Sequence, residues 1–209
     1  MPFLLSGNTD NYTKLKDDTL MKTVPVGVSA RHIHLSEAHI AILFGEGYEL
    51  KVFKDLSQPG QFAAQETVSI VGPKSRMDKV RILGPARPFT QIEISRTDAF
   101  SLGVNPPVRE SGHIDQTPGL KVIGPAGEVE LDQGVIVAAR HIHFHTSDAD
   151  QWGIQDKQLL RVRVNGERPL IFENVIARVS EQFALDMHID TDEGNAAGVK
   201  TGDIAEILD

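Results

Sequence analysis

The chain has 209 residues, enough for one large domain or two small ones of roughly 90 residues each. Hydrophobic residues make up 40% and charged ones 24%, a globular composition, and 29 acidic against 21 basic side chains give a net charge of −8. That balance, with no basic cluster, argues against a nucleic-acid or anionic-membrane surface, and the absence of cysteine excludes disulfides, thiolate metal sites and cysteine catalysis.

Residues 1–23 read as a polar N-terminal tail with scattered leucines. They lack the basic start and apolar core of a secretory signal, and no apolar run approaches the roughly 20 residues that cross a bilayer. The expectation is a cytoplasmic protein. From Val24 the chain turns into short β-branched segments cut by Gly and Pro. VPVGVS, ETVSIVG, KVRILG, TQIEIS, LKVIG, EVEL, GVIVAARHIHF, LLRVRVN, LIFENVIARV and ALDMHID all read as strands. Brief helices are expected at SEAHIAILFG and TSDADQWG, each opened by a Ser or Thr cap with acidic residues behind it. Many short strands with few helices predict a barrel or sandwich and not a βαβ sheet.

The chain also repeats itself. GVSARHIHLSEAHIAILFGEG is echoed by VIVAARHIHFHTSDADQWGIQ, and TQIEISRTDAFSLG by LDMHIDTDEGNAAG. The spacing predicts two related halves, 24–103 and 134–209, joined by a Pro- and Gly-rich connecting segment, 104–133. The expected fold is mainly β, an internal duplication of two small β-barrel-like halves with short capping helices.

Four of the eight histidines sit in two copies of Arg-His-Ile-His. Residues two apart on a strand point the same way, so His32 and His34 share a face, as do His141 and His143, with His145 able to extend the second pair. Two imidazoles so placed converge readily on a metal. The second repeated strand adds a third donor to each set, Glu93 in one half and the aligned His188 in the other. Two His with one Glu, or three His, is the pattern of catalytic zinc with an open position, whereas structural zinc normally takes four ligands. The three-His set also suits other divalent transition metals. Gln91 and Ser95 share the Glu93 face, and Asp186 and Asp190 share that of His188.

Arg87 occupies a Pro-flanked turn just before the Glu93 strand, where a guanidinium could hold a tetrahedral anion bidentately. Lys74 in VGPK and Arg81 in KVRILG are further anion-binding candidates, and the small run Val28, Ser29 and Ala30 leaves room for a ligand against the backbone. His39 and His113 read as surface, Trp152 as core, and Asp98, Asp192 and Glu193 as helix-start caps. Nucleotide and hydrolase motifs of the GxGxxG, GxxxxGK[ST] and GxSxG types are missing.

The set GVSARHIHLS, QPGQFAAQETV, VGPK, RILGPAR, QIEISRTDA, GVIVAARHIH and MHIDTDEGNAAG, spanning nearly everything from Val24 to Gly198, resembles the phosphate propanoyltransferases of the propanediol-utilisation type. These are metal-dependent phosphotransacylases associated with bacterial microcompartments. The resemblance implies two β-barrel-like halves, a homodimer, two active-site divalent metals of the zinc type, and reversible conversion of acyl-CoA and phosphate to acyl phosphate and CoA. It places His32, His34 and Glu93 on the first metal, His141, His143 and His188 on the second, and Arg87 on phosphate. CoA contacts fall on Val28, Ser29, Ala30, Lys74, Arg81 and Asn195. It also implies a place inside a microcompartment, among shell or lumen proteins. The rival readings are a metal-dependent hydrolase of thioesters or phosphate esters and a zinc-stabilised assembly protein.

Overall fold

In the computed structural model, which describes residues 21–208, the β-branched runs form two curved sheets. The expectations for residues 1–20 lie outside the described residues. One sheet is a closed six-stranded barrel and the other a curled half-barrel, so the predicted mainly-β duplication is observed. Among the described residues no helix is long and apolar enough to cross a membrane.

The two Arg-His-Ile-His motifs mark where the chain passes from one sheet to the other. Strand β1 (Thr23–Ser29) lies in the barrel, whereas β2 (His32–His34), two residues on, lies in the half-barrel. GVIVAARHIHF, read as one strand, is two: β10 (Val135–Ala138) belongs to the half-barrel and β11 (His141–Phe144) to the barrel. Each repeat therefore lends its first strand to the other repeat's sheet, and hydrogen bonding does not divide the chain at 24–103 and 134–209. The connecting segment is also part of the half-barrel, supplying β7 (Val108–Arg109), β8 (Lys121–Ile123) and β9 (Glu128–Glu130).

The remaining half-barrel strands are β3 (Val52–Asp55), β4 (Phe62–Val71), β5 (Arg76–Gly84) and β6 (Gln91–Glu93). The order runs β7-β10-β6-β2-β5-β4-β8-β9, with β3 on β4. The barrel is completed by β12 (Leu159–Val164), β13 (Leu170–Val179), β14 (Asp186–Asp190) and β15 (Ile204–Ile207), in the order β1-β14-β11-β13-β12-β15.

Corresponding strands keep the same register in both sheets. β2 runs antiparallel to β6 with His32 opposite Glu93, Ile33 opposite Ile92 and His34 opposite Gln91. β11 runs antiparallel to β14 with His141 opposite His188, Ile142 opposite Met187 and His143 opposite Asp186. The period of two then sorts the side chains. Ile33, Ile82 and Ile92 are fully buried in one core, and Ile142, Leu160 and Met187 in the other, which leaves the histidines on the opposite face.

Among the described residues four short helices cap the sheets: α1 (Glu37–Phe44), α2 (Arg96–Leu102), α3 (Thr146–Trp152) and α4 (Thr191–Ala197). Three of them end on a glycine in the left-handed region, Gly103, Gly153 and Gly198. The cap of α3 is His145, not Thr146: its Nδ1 accepts from the Ser147 N–H at 3.2 Å, which removes His145 from the metal candidates. Trp152 packs edge-on against Phe144, 6.0 Å between ring centres, at the barrel core as expected.

Candidate metal centres

The donor atoms of His32, His34 and Glu93 lie within 4.8 Å of one another. His32 Nδ1 is 2.9 Å from the Ala30 carbonyl and His34 Nδ1 is 3.2 Å from that of Leu83. A carbonyl only accepts, so each Nδ1 carries a hydrogen, and in the neutral ring the lone pair is left on Nε2. Both Nε2 atoms face the carboxylate, at 3.4 Å from His32 Nε2 to Glu93 Oε2 and 3.9 Å from His34 Nε2 to Glu93 Oε1. Gln91, fully buried, fixes the carboxylate: its Nε2 donates to Glu93 Oε1 at 2.6 Å and to Ser111 Oγ at 2.8 Å.

Burial works against a charged Glu93, yet the two imidazoles and a hydrogen bond with Ser111 hold it well below the usual carboxylate range. Burial also works against a charged His32, and the charge and hydrogen bond of Glu93 outweigh it, raising His32. His34 is pushed down to about 3 by burial, then by His32 and Arg87.

The second group, His141, His143 and His188, meets the same distance criterion without a carboxylate. His141 Nδ1 donates to the Ala139 carbonyl at 2.8 Å, the counterpart of the His32–Ala30 bond. Asp186 Oδ2 is 3.1 Å from His188 Nε2 and holds that ring. His143 Nδ1 is buried and has no hydrogen-bond partner among the described residues. Burial and then the neighbouring imidazoles push His141 down to about 4 and His143 to about 2, so both are neutral near pH 7 and able to bind a cation. β1 approaches this group through Gly27, where a Cβ would stand 3.3 Å from both His188 Cδ2 and Asp186 Oδ2.

Both groups line one cleft of about 620 Å³ between the two sheets, with Arg87 at its wall. The Arg87 Nη1 donates to Ser111 Oγ at 3.1 Å, so phosphate-binding and metal-binding candidates share one hydrogen-bonded cluster through Ser111 and Gln91. Over residues 25–200 the sequence matches the phosphate propanoyltransferase family profile. It is 57% identical to a phosphate propanoyltransferase of Thermotoga maritima over 185 residues, 88% of each chain. It is 53% identical to one from Lachnoclostridium phytofermentans over 186 residues, covering 88% of this chain and 87% of that one, and 50% identical to one from Listeria monocytogenes over 185 residues, with the same coverage.

The chain belongs to the phosphate propanoyltransferase family. It is accordingly a phosphate acyltransferase.

Of the expected CoA contacts, Val28, Ser29, Ala30 and Arg81 line the cleft. Arg81 is already engaged, donating to the carbonyls of Ala64 and Gln65 at 2.8 Å each and lying over the Phe53 ring. Lys74 and Asn195 are not brought to the cleft: the Lys74 ammonium lies 5.1 Å from the centre of the Phe100 ring, and Asn195 is exposed on α4. His113 is exposed as expected, whereas His39 is half-buried, its Nδ1 2.7 Å from Thr90 Oγ1.

Asp190 and Glu193 form a capping box on α4. Asp98 caps nothing with its side chain. It takes Arg31 bidentately at 2.6 and 2.9 Å, as Glu193 takes Arg140 at 3.0 Å, and the two pairs pin both sheet crossings. Asp192 accepts from the Thr97 N–H, tying α4 to α2.

Ser111 and Arg178 also line the cleft and carry no sequence motif. Gln91 and Asp186 had a signal, since each stands two residues before a candidate ligand on the same strand face.

Proposed function

We propose that the protein transfers a propanoyl-sized acyl group between CoA and inorganic phosphate, in either direction, at a site of two divalent metals and without an acyl-enzyme. The observation carrying this reading is the pair of three-donor groups, set by one shared strand register, that open onto the same cleft as Arg87. His32, His34 and Glu93 would hold one ion and His141, His143 and His188 the other. The donor sets, the free imidazole lone pairs and the orphaned His143 Nδ1 all fit such ions. When bound, ions of the zinc class would polarise the thioester carbonyl and stabilise the departing thiolate.

The remaining work falls to the chain itself. Arg87 holds phosphate against the thioester carbon, and its own aim is set by the Ser111 hydroxyl. A phosphate oxygen attacks the carbonyl carbon, the carbon–sulfur bond breaks, and the sulfur leaves with the electron pair as CoA thiolate. Among the described residues no serine of the cleft is hydrogen-bonded to a histidine, and Ser95 Oγ is committed to the Asp98 N–H, which supports direct transfer. CoA would enter along Val28, Ser29, Ala30 and Arg81, with Lys74 and Asn195 reaching only the portion that extends beyond the cleft. The family resemblance extends the reading to a homodimer and to a microcompartment lumen.

The test is release of free CoA from propanoyl-CoA by purified, metal-replete protein, with and without phosphate. Phosphate-dependent release with accumulating propanoyl phosphate is expected, and equal release without phosphate would establish a hydrolase instead. Arg87→Ala should raise the phosphate KM and lower kcat with both metals retained; loss of metal from that variant would contradict the role given to Arg87.

A further inference from the structure

Four arginines line the cleft, and they divide sharply by what they hold. Arg31 is paired with Asp98 and Arg81 with two backbone carbonyls. Among the described residues the Arg87 side chain is hydrogen-bonded only to the Ser111 hydroxyl, and the Arg178 side chain has no hydrogen bond or ion pair. Arg178 stands on β13 directly beside His143 of β11, and parallel neighbours in register project to the same face. The other face of β13 is the barrel core, where Val175 and Ala177 are fully buried. Phe183, in the turn after β13, packs its ring 4.4 Å from that of His143 and 5.6 Å from the Arg178 guanidinium, which orients the guanidinium beside the second histidine group.

Arg87 thus comes from the half-barrel and Arg178 from the barrel, onto one cleft. Burial lowers Arg87, Glu93 opposes that, and the positive charge of Arg178 adds to the lowering, so the two cations are near enough to repel. In a chain of net charge −8, two such guanidiniums without carboxylate partners form an arrangement that a shared anion would stabilise. A tetrahedral oxyanion presents acceptor oxygens in several directions, so planar forks from opposite sheets can hold it together.

Resting on the acyltransferase reading above, we propose that Arg178 is a second phosphate-binding residue, which with Arg87 brackets the attacking phosphate between the two sheets. The repeat conceals it. Arg87 precedes Glu93 by six residues and Arg178 precedes His188 by ten, so the duplicated strands do not align the two arginines.

The experiment compares wild type, Arg178→Gln and Arg178→Lys, all metal-replete, by calorimetric titration with inorganic phosphate, by KM for phosphate and for acyl-CoA, and by metal content. Arg178→Gln should weaken phosphate binding and raise the phosphate KM roughly tenfold or more, the loss expected for a charge-assisted contact. The acyl-CoA KM and both metals should be unchanged, and Arg178→Lys should recover part of the loss. Unaltered phosphate binding, a rise confined to acyl-CoA, or loss of metal would each overturn the assignment. Should the Gln variant fail to fold, Arg178→Lys against wild type decides by the same criteria, since the planar fork is not replaced by a point charge. Wild-type release of CoA without phosphate sinks the transferase reading itself, whereas a phosphate-dependent wild type with a normal Arg178→Gln sinks this inference alone.

Discussion

Glu93 is the one carboxylate among the six candidate donors, and its surroundings make it dependent on company. It lies between two imidazoles and is held in place by Gln91, a fully buried amide whose carbonyl in turn accepts from the Gly112 N–H at 2.8 Å. Glu93→Gln removes the anionic donor while keeping its shape, so metal analysis should find one ion per chain instead of two, the second group being untouched. Gln91→Ala leaves the donor but frees it to rotate, and a loss of about 10- to 100-fold in metal affinity at the first group is expected, measured by competition with a chelator. Equal metal loss from both groups in either variant would mean that they are one coupled site. At this scale the sequence was informative wherever chemistry follows the two-residue strand period. His32 with His34 and His141 with His143 came from that rule, the third donors Glu93 and His188 from the aligned repeat of the second strand, and the structure brings each set together. Ser111 was not legible: it reaches the cleft from a Pro- and Gly-rich segment with no periodicity to report which way a side chain faces.

Among the elements, what the sequence concealed is the pair of breaks at Ala30–Arg31 and Ala139–Arg140. Neither contains Gly or Pro; VPVGVS reads as ending just before the first, whereas the apolar run GVIVAARHIHF passes through the second and reads as continuous strand. The turn is stabilised by tertiary partners instead. At the first break His32 Nδ1 folds back to the Ala30 carbonyl and Arg31 reaches Asp98 on α2; at the second, His141 and Arg140 make the same contacts with Ala139 and Glu193. The Asp98 side chain is 7% exposed and that of Arg31 45%, so solvent screens the pair from one side. Asp98→Asn should therefore cost only about 1 kcal/mol. For a chain of this length that is a fall in Tm of about 2–4 °C by calorimetry. Arg31→Ala combined with Asp98→Asn should lose no more than the worse single variant. Additive losses would show that the two side chains act independently and that the crossing is held by the histidine contacts alone.

For the molecule as a whole, the strand exchange makes the two halves depend on each other. Without β1, β14 and β15 each lose a hydrogen-bonded neighbour and the barrel opens; without β10, β6 and β7 lose theirs. The exchange also aims both histidine faces at one cleft, since each crossing delivers a ligand strand directly after a strand borrowed by the other sheet. Duplication was visible in the repeated motifs, but not the exchange, because pairing between distant strands leaves no local pattern. We therefore predict that the fragments 1–133 and 134–209, each purified alone, show no cooperative thermal transition, because each lacks the other's first strand. Mixed and refolded together, they should regain a single transition and two metals per complex. A cooperative melt from 134–209 alone would mean that five strands suffice to close the barrel. In that case β1 would serve to carry Gly27 and the Val28–Ala30 run to the cleft, and removing it should abolish CoA binding while leaving the barrel's histidine group able to take its metal.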